Sequence, residues 1–228
     1  MTNTPFKILN LYACLGGNRY KWDEVAKEAN IEIAVTAVEW DVELARLYKE
    51  RFPNDTVIVA DAHQYLLDHY KEFDFIWTSP PCPSHSRARY WSSSNYDTTT
   101  KAIYPDMKLY EEILFLQHYY RTGKYVVENV VPYYEPLIPA KKRGRHLYWA
   151  NFNLPIDLED RRVQIGAGID EMKRLCEFHE IDISTYKGEQ SMIKVARNLV
   201  DYEAGRTIFE TALGIIRKSN VKQTDLFI

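Results

Sequence analysis

Short β-rich runs and helical patterns take turns along the first 130 residues, and this alternation leaves few folds open. The β-rich runs are FKILNLY (6–12), IEIAVTAVEW (31–40), DTVIVAD (55–61), EFDFIWTS (72–79) and GKYVVENV (123–130). Between them stand NRYKWDEVAKEAN, DVELARLYKERF, AHQYLLDHYK and PDMKLYEEILFLQHYYR, with apolar residues at helical spacing. Parallel strands need helix-length crossovers, so the pattern predicts a parallel sheet covered by helices on both faces. Right-handed crossovers make this an α/β, doubly wound, mostly parallel sheet of Rossmann-like type, with ligands at the carboxyl ends of the strands. With 228 residues, 46% of them hydrophobic, the chain can bury one sizeable core and a small appendage.

The rhythm lapses in two places. From Pro80 to about Pro105 the chain reads PPCPSHSRARYWSSSNYDTTTKAIYP, a stretch without clear periodicity and long enough to suggest a functional loop. After Val130 come VPYYEPLIP and the basic run KKRGRHLYWANF. Residues 154–192 are polar and weakly patterned, as a small insert would be, and VDYEAGRTIFETALGIIRK reads as a helix returning to the main body. The expected division is a core over 1–153, an insert over 154–192 and a returning segment over 193–228.

Composition narrows the functional classes. No apolar run approaches the roughly 20 residues of a membrane span, and MTNTPFK does not resemble a signal peptide. The net charge of −3 means that any nucleic-acid binding must use a local basic surface. Cys14, Cys82 and Cys176 are an odd, widely spaced set without CxxC, which argues against a disulfide framework and a metal site and for a cytoplasmic setting.

The strand ends carry the chemistry. NLYACLGGN (10–18) ends a strand in small residues and a Gly pair, a turn that lets backbone approach a ligand closely. It has neither GxGxxG nor the Walker lysine, so no phosphate cradle is indicated. Glu39 ends the second strand, where such folds grip a ribose diol, and Trp40 beside it can stack on a purine. Asp61 ends the third, where a carboxylate can accept from an adenine amine. Each has a plainer reading, as a surface acid or a core aromatic, but together they suit an adenosine ligand lacking phosphate. The fourth strand ends in Thr78-Ser79-Pro80-Pro81-Cys82-Pro83-Ser84-His85-Ser86, a stiff turn that projects a Cys into the cleft. A free thiol is more often a buried inert group; here Arg87 and Arg89 follow closely and would favour the reactive thiolate. Glu128 ends the fifth strand after the apolar YVV, and burial there would raise its pKa enough to protonate or hydrogen-bond a ring nitrogen.

In this order the segments resemble the motifs of the DNA (cytosine-5) methyltransferase family. NLYACLGGN is similar to the family's DLFAGxGG, VEWD and VIVADAH to its second and third motifs, and SPPCPSHS to its catalytic PCQ motif. ENV is matched outright, Lys141-Lys142-Arg143-Gly144-Arg145 resembles QxRxR, and Arg197-Asn198-Leu199-Val200…Glu203-Ala204-Gly205 resembles the tenth motif. The resemblance implies a class I S-adenosylmethionine-dependent methyltransferase that flips a cytosine out of double-stranded DNA. By position it implies Cys82 as nucleophile at C6, Glu128 at N3 and the exocyclic amine, and Arg145, supported by Arg143, at the base or its phosphate. It implies S-adenosyl-L-methionine as cofactor, held by Tyr12, Gly16, Glu39, Trp40, Asp61, Pro80 and Asn198. Candidate nucleic-acid contacts are Ser84, Arg87, Arg89, Lys141 and Lys142, with Tyr90 and Trp91 as further readers. The family's common role implies DNA modification for self-protection, a role that admits a cognate restriction enzyme as partner, and a monomer is the expected state. Departures are Asn10 for Asp, Tyr12 for Phe, Pro83 for Gln and Lys141 for Gln. The short region 154–192, taken as the recognition insert, implies a short or relaxed recognition site.

Three other readings stay open. An amino-methyltransferase would carry an aromatic residue where Cys82 stands. The family's tRNA-methylating branch shares the same motifs. A non-enzymatic nucleic-acid-binding relic would not need Cys82, Glu128 and Arg145 together.

Overall fold

A computed structural model describes residues 4–94, 101–155, 161, 163 and 170–215. Their strands form a seven-stranded sheet in the order β3-β2-β1-β4-β5-β7-β6. β1 (Phe6–Leu11), β2 (Ile33–Glu39), β3 (Thr56–Val59), β4 (Phe75–Thr78) and β5 (Lys124–Val130) run parallel. β6 (Lys141–Arg143) and β7 (His146–Ala150) form an antiparallel edge hairpin, turned at Gly144 with φ 54°. The strand order reverses direction between β1 and β4, where doubly wound sheets open their ligand crevice.

Neighbouring side chains on each strand point to opposite faces, so the apolar runs split into two cores. Leu9, Leu11, Ile76 and Val127 face one way, against Leu66 of α3 (Ala62–His69) and Leu109, Ile113 and Leu116 of α5 (Lys108–Tyr119). Ile8, Phe75, Trp77 and Val126 face the other, against Trp22 of α1 (Trp22–Glu28) and Ile208 and Phe209 of α8 (Tyr202–Ala212). α2 (Val42–Arg51) and α3 begin on aspartates that cap them: Asp41 accepts from the amides of Glu43 and Leu44, and Asp61 from those of His63 and Gln64.

The structure differs from the sequence reading beyond residue 80. The stretch read as one aperiodic loop contains α4 (Arg87–Ser94); residues 95–100 lie outside the described ones. The basic run after residue 140 is the β6–β7 hairpin. Of the region 154–192, residues 156–160, 162 and 164–169 lie outside the described ones. Its remainder contains α6 (Glu171–His179), whose Leu175 packs with Leu15, Leu44, Leu47 and, from α7 (Met192–Arg197), Val195 and Ala196. The Arg51 guanidinium donates to the carbonyls of Leu15 and His179, and Gln190 Nε2 donates to Asp41 at 2.9 Å. Residues 170–192 therefore lie against α2 and the β1 turn rather than standing apart, because their apolar face needs that cover.

Candidate active site

A cleft of ≈ 360 Å³ opens at the carboxyl ends of β1, β2, β4 and β5 and is closed on one side by residues 197–200. Its first wall is the turn after β1. Tyr12 and Cys14 take left-handed backbone angles (φ 54° and 45°), and the Cys14 amide donates to Glu39 Oε2 at 2.8 Å. The Asp41 amide donates to the other oxygen at 3.0 Å, so Glu39 ties two strand ends together from a buried position. Burial raises its pKa and the backbone donors oppose the rise. Trp40, 73% exposed, forms the rim.

Two glycines let the C-terminal segment reach this wall. A Cβ on Gly17 would overlap the carbonyl of Val200, and one on Gly205 would overlap that of Asn18. Only residues without a side chain permit such backbone approach. Trp22 Nε1 fixes the same junction by donating to the Gly205 carbonyl at 3.2 Å.

The second wall is the turn after β4. Asn129 Nδ2 donates to the Pro80 carbonyl at 2.9 Å, and the amides of His85 and Ser86 donate to the Cys82 carbonyl. These bonds hold Cys82 in the cleft beside Glu128, which lies in β5 one residue past Val127, the partner of Thr78 at the end of β4. Burial pushes the Glu128 carboxyl up to about 7, against a hydrogen bond from Ser79 and the charge of Arg145. The Cys82 thiol is pushed up to about 11, by burial first and the Glu128 charge second, while Arg145 pulls it down. This corrects the expectation that Arg87 and Arg89 favour the thiolate. Arg87 Nε donates to the Pro132 carbonyl and Arg89 to the Lys101 carbonyl, and neither is among the charges acting on the sulfur.

The basic side opens into a second hollow of ≈ 350 Å³, lined by Ser86, Arg87, Lys142 and Arg145 among others and sharing Val130 with the cleft. Lys141, Lys142 and Arg145 are exposed. Arg145 has one long contact, 3.5 Å to the Arg197 carbonyl.

Of the residues singled out in the sequence, Tyr12, Glu39, Trp40, Pro80, Asn198, Cys82 and Glu128 all line the cleft. Arg87, Lys142 and Arg145 line the adjoining hollow, and Arg89 and Lys141 line neither. Gly16, Asp61, Arg143 and Ser84 also stand outside the cleft. Gly16 turns behind the wall at φ 66°, its place on the lining taken by Gly17. Asp61 is exposed and spends Oδ1 on capping α3, because β3 ends two residues earlier. The Arg143 guanidinium is bound to the Pro155 carbonyl at 2.7 and 2.9 Å. The Ser84 hydroxyl accepts from the Asp106 amide at 2.9 Å. Sequence reasoning quoted Asn129 within ENV without giving it a role, and it missed His146, whose Nε2 lies 3.7 Å from Glu128, and the buried Glu112. Glu112 had a signal: it interrupts the apolar helix face of Leu109, Ile113 and Leu116.

The donor set fits an adenosine cofactor without phosphates. The adenosine wall offers a carboxylate, an indole and backbone, and the one arginine on the lining among the described residues, Arg197, is already paired with Glu171 at 2.6 and 2.7 Å. The sheet order and this cleft define a class I S-adenosylmethionine-dependent methyltransferase. The family model for C-5 cytosine-specific DNA methylase matches residues 6–130, more than half of the chain. The chain belongs to that family, whose methyl donor is S-adenosyl-L-methionine.

Among solved structures, a DNMT2 variant of Spodoptera frugiperda is 25% identical with a TM-score of 0.39, over 55% of this chain and 35% of that one. A hypothetical protein of Thermus thermophilus is 20% identical with a TM-score of 0.38, over 63% of this chain and 73% of that one. A putative DNA modification methyltransferase encoded within an E. coli prophage is 16% identical with a TM-score of 0.36, over 57% of this chain and 33% of that one. The chain thus spans about a third of the length of the first and third of these. A search of curated proteins found no match. No described helix is long and apolar enough to cross a membrane.

Proposed function

We propose that this chain methylates C5 of a cytosine extruded from double-stranded DNA, through a covalent bond between Cys82 Sγ and C6 of the base. The observation that carries the reading is the pairing of Cys82 with Glu128 on adjacent strand ends, in the cleft whose far wall suits the cofactor. Glu39, Trp40 and Asn198 would hold S-adenosylmethionine, which when bound supplies an electrophilic methyl group.

The protein's own part is proton and electron management. The Cys82 thiol, held near 11, loses its proton to solvent as the base arrives, and its sulfur pair forms the bond to C6. The C5=C6 pair shifts to C5 while N3 takes the proton that Glu128 carries near neutrality. C5 is then the nucleophile for the methyl group. Loss of the C5 proton to solvent restores the double bond and expels Cys82 as the thiolate, and N3 returns its proton to Glu128. Arg145, exposed and loosely held beside both groups, is placed to take the flipped base or its phosphate.

Lys142, Arg87 and Arg145 give the adjoining hollow the charge to seat backbone phosphates. With residues 170–192 packed on α2, α4 and the β6–β7 hairpin are the better candidates for base readout, including the exposed Tyr90 and Trp91. Few such contacts define a short or degenerate site. A role in self-protection of DNA, inside a cytoplasm that keeps the three free cysteines reduced, is consistent with this chemistry.

Incubation with methyl-labelled donor and separate duplex DNA and tRNA substrates tests the reading. Label at C5 of cytosine in DNA supports it. Label in tRNA alone moves the enzyme to the RNA branch, and label on an exocyclic amine rejects the covalent route.

A further inference from the structure

We infer that Glu112, in the first half of α5 and outside the cleft, is a positioning residue that couples the cofactor wall to the catalytic turn; this rests on the methyltransferase reading above. Its carboxylate is buried, and three side chains from three different strand-end connections converge on it. The Tyr12 hydroxyl donates to Oε1 at 2.5 Å, from the turn after β1. The Thr78 hydroxyl donates to Oε2 at 2.6 Å, from the last residue of β4. His63 Nδ1 lies 3.0 Å from Oε1, at the start of α3 after β3.

Each contact bears on something the chemistry needs. Tyr12 lines the cleft from a left-handed backbone (φ 54°), a conformation that an aromatic residue keeps only when its surroundings hold it there. Its hydroxyl bond to Glu112 anchors the ring's far end. Thr78 immediately precedes Ser79-Pro80-Pro81-Cys82, so the Oε2 bond sets where the Cys82 turn leaves the sheet. A buried carboxylate accepting several strong hydrogen bonds has little freedom to move, and passes that rigidity to its donors. The sequence placed a charged residue on the core-facing stripe of α5, beside a second glutamate, Glu111, that is exposed.

The test measures donor affinity by calorimetry and kcat at saturating donor, for the full chain and its Tyr12→Phe, Thr78→Val, Glu112→Leu and Glu112→Gln variants. Tyr12→Phe is expected to weaken donor binding by about tenfold, the worth of one charge-assisted hydrogen bond, and to lower kcat at saturating donor by less than that. Thr78→Val is expected to lower kcat several-fold with donor affinity kept. Glu112→Leu should do both, and Glu112→Gln, which keeps a polar partner for the hydroxyls, should recover most of each. A folded Glu112→Leu with unchanged affinity and rate overturns the inference. If Glu112→Leu does not fold, Tyr12→Phe and Thr78→Val decide: wild-type behaviour of both overturns it, and the affinity–rate split upholds it. Calorimetry reads donor binding without turnover, so an inactive wild-type protein would sink the methyltransferase reading while leaving the Tyr12–Glu112 coupling measurable.

Discussion

The two walls of the cleft are built differently. On the cofactor side the side chains are already engaged: Glu39 accepts two backbone amides, and Gly17 lets the Val200 carbonyl close on the turn. On the base side the groups wait. Cys82 is held as a thiol, Glu128 carries a proton near neutrality, and the Arg145 guanidinium makes a long 3.5 Å contact to the Arg197 carbonyl. The cofactor wall is preorganised by backbone geometry, whereas the base wall is poised electrostatically and completes itself when a substrate enters.

The largest break in this comparison should come from Gly17→Ala. Its methyl group would meet the Val200 carbonyl, a collision that backbone cannot avoid, and overpacking of this kind costs about 1–3 kcal/mol. Donor affinity by calorimetry should fall at least tenfold, while DNA affinity stays near wild type. Equal losses of both would mean that the two walls are not independent.

Glu128→Gln should sharpen the electrostatic half. Because the folded carboxyl titrates near 7 against an ordinary 4.5, wild-type stability is fully present below pH 4.5 and declines as pH rises to 7. Glu128→Gln escapes this decline, so its melting temperature should gain on wild type between pH 5 and 7 and hold that lead above 7. The stabilisation it reflects is up to on the order of 3 kcal/mol. A constant difference across pH would show that Glu128 titrates normally. In kinetics, wild-type kcat/KM should rise with thiolate up to about pH 7 and then flatten as Glu128 ionises, the two trends cancelling.

Smaller effects should separate the basic residues. Lys142→Ala should lower the salt slope of DNA binding by about one without changing turnover of bound DNA. Arg145→Ala should slow turnover beyond its effect on affinity. Matching losses for the two would reduce Arg145 to a phosphate contact.

The smallest contrast lies between two residues on the cofactor side. Trp40→Ala should weaken donor binding several-fold through lost stacking at the rim. Asp61→Ala should leave it nearly unchanged and instead destabilise α3 by about 1 kcal/mol, the worth of an N-cap. Calorimetry beside thermal melting distinguishes the two outcomes.

That contrast also shows how far the sequence reaches. The parallel sheet and the cleft-lining residues Tyr12, Glu39, Trp40, Pro80, Cys82 and Glu128 were legible because strand ends follow directly from the period-two runs. Asp61 looked equivalent, but β3 stops at Val59 and the next residues turn into a helix cap, a distinction of two residues that no pattern resolves. The expected thiolate at Cys82 failed for another reason. Arg87 and Arg89 are near in sequence, yet their guanidinium groups are drawn to the carbonyls of Pro132 and Lys101, and charge acts through space. Residues 170–192 read as weakly patterned, yet Met172, Leu175 and Cys176 give α6 an apolar face, and the residues that cover it, Leu15, Leu44 and Leu47, lie far along the chain, where no local pattern shows them.

The central claim is that Cys82 forms a bond to the base, and trapping that bond tests it most directly. DNA containing 5-fluorocytosine should accept Cys82 and the methyl group but have no C5 proton to lose, so the adduct should persist. With donor present, denaturing electrophoresis and mass spectrometry should show the protein joined to DNA through Cys82, and Cys82→Ser should bind donor normally yet give no adduct. An enzyme that methylates ordinary DNA but forms no adduct with the fluorinated duplex, or a Cys82→Ser protein that keeps its activity, would contradict the account.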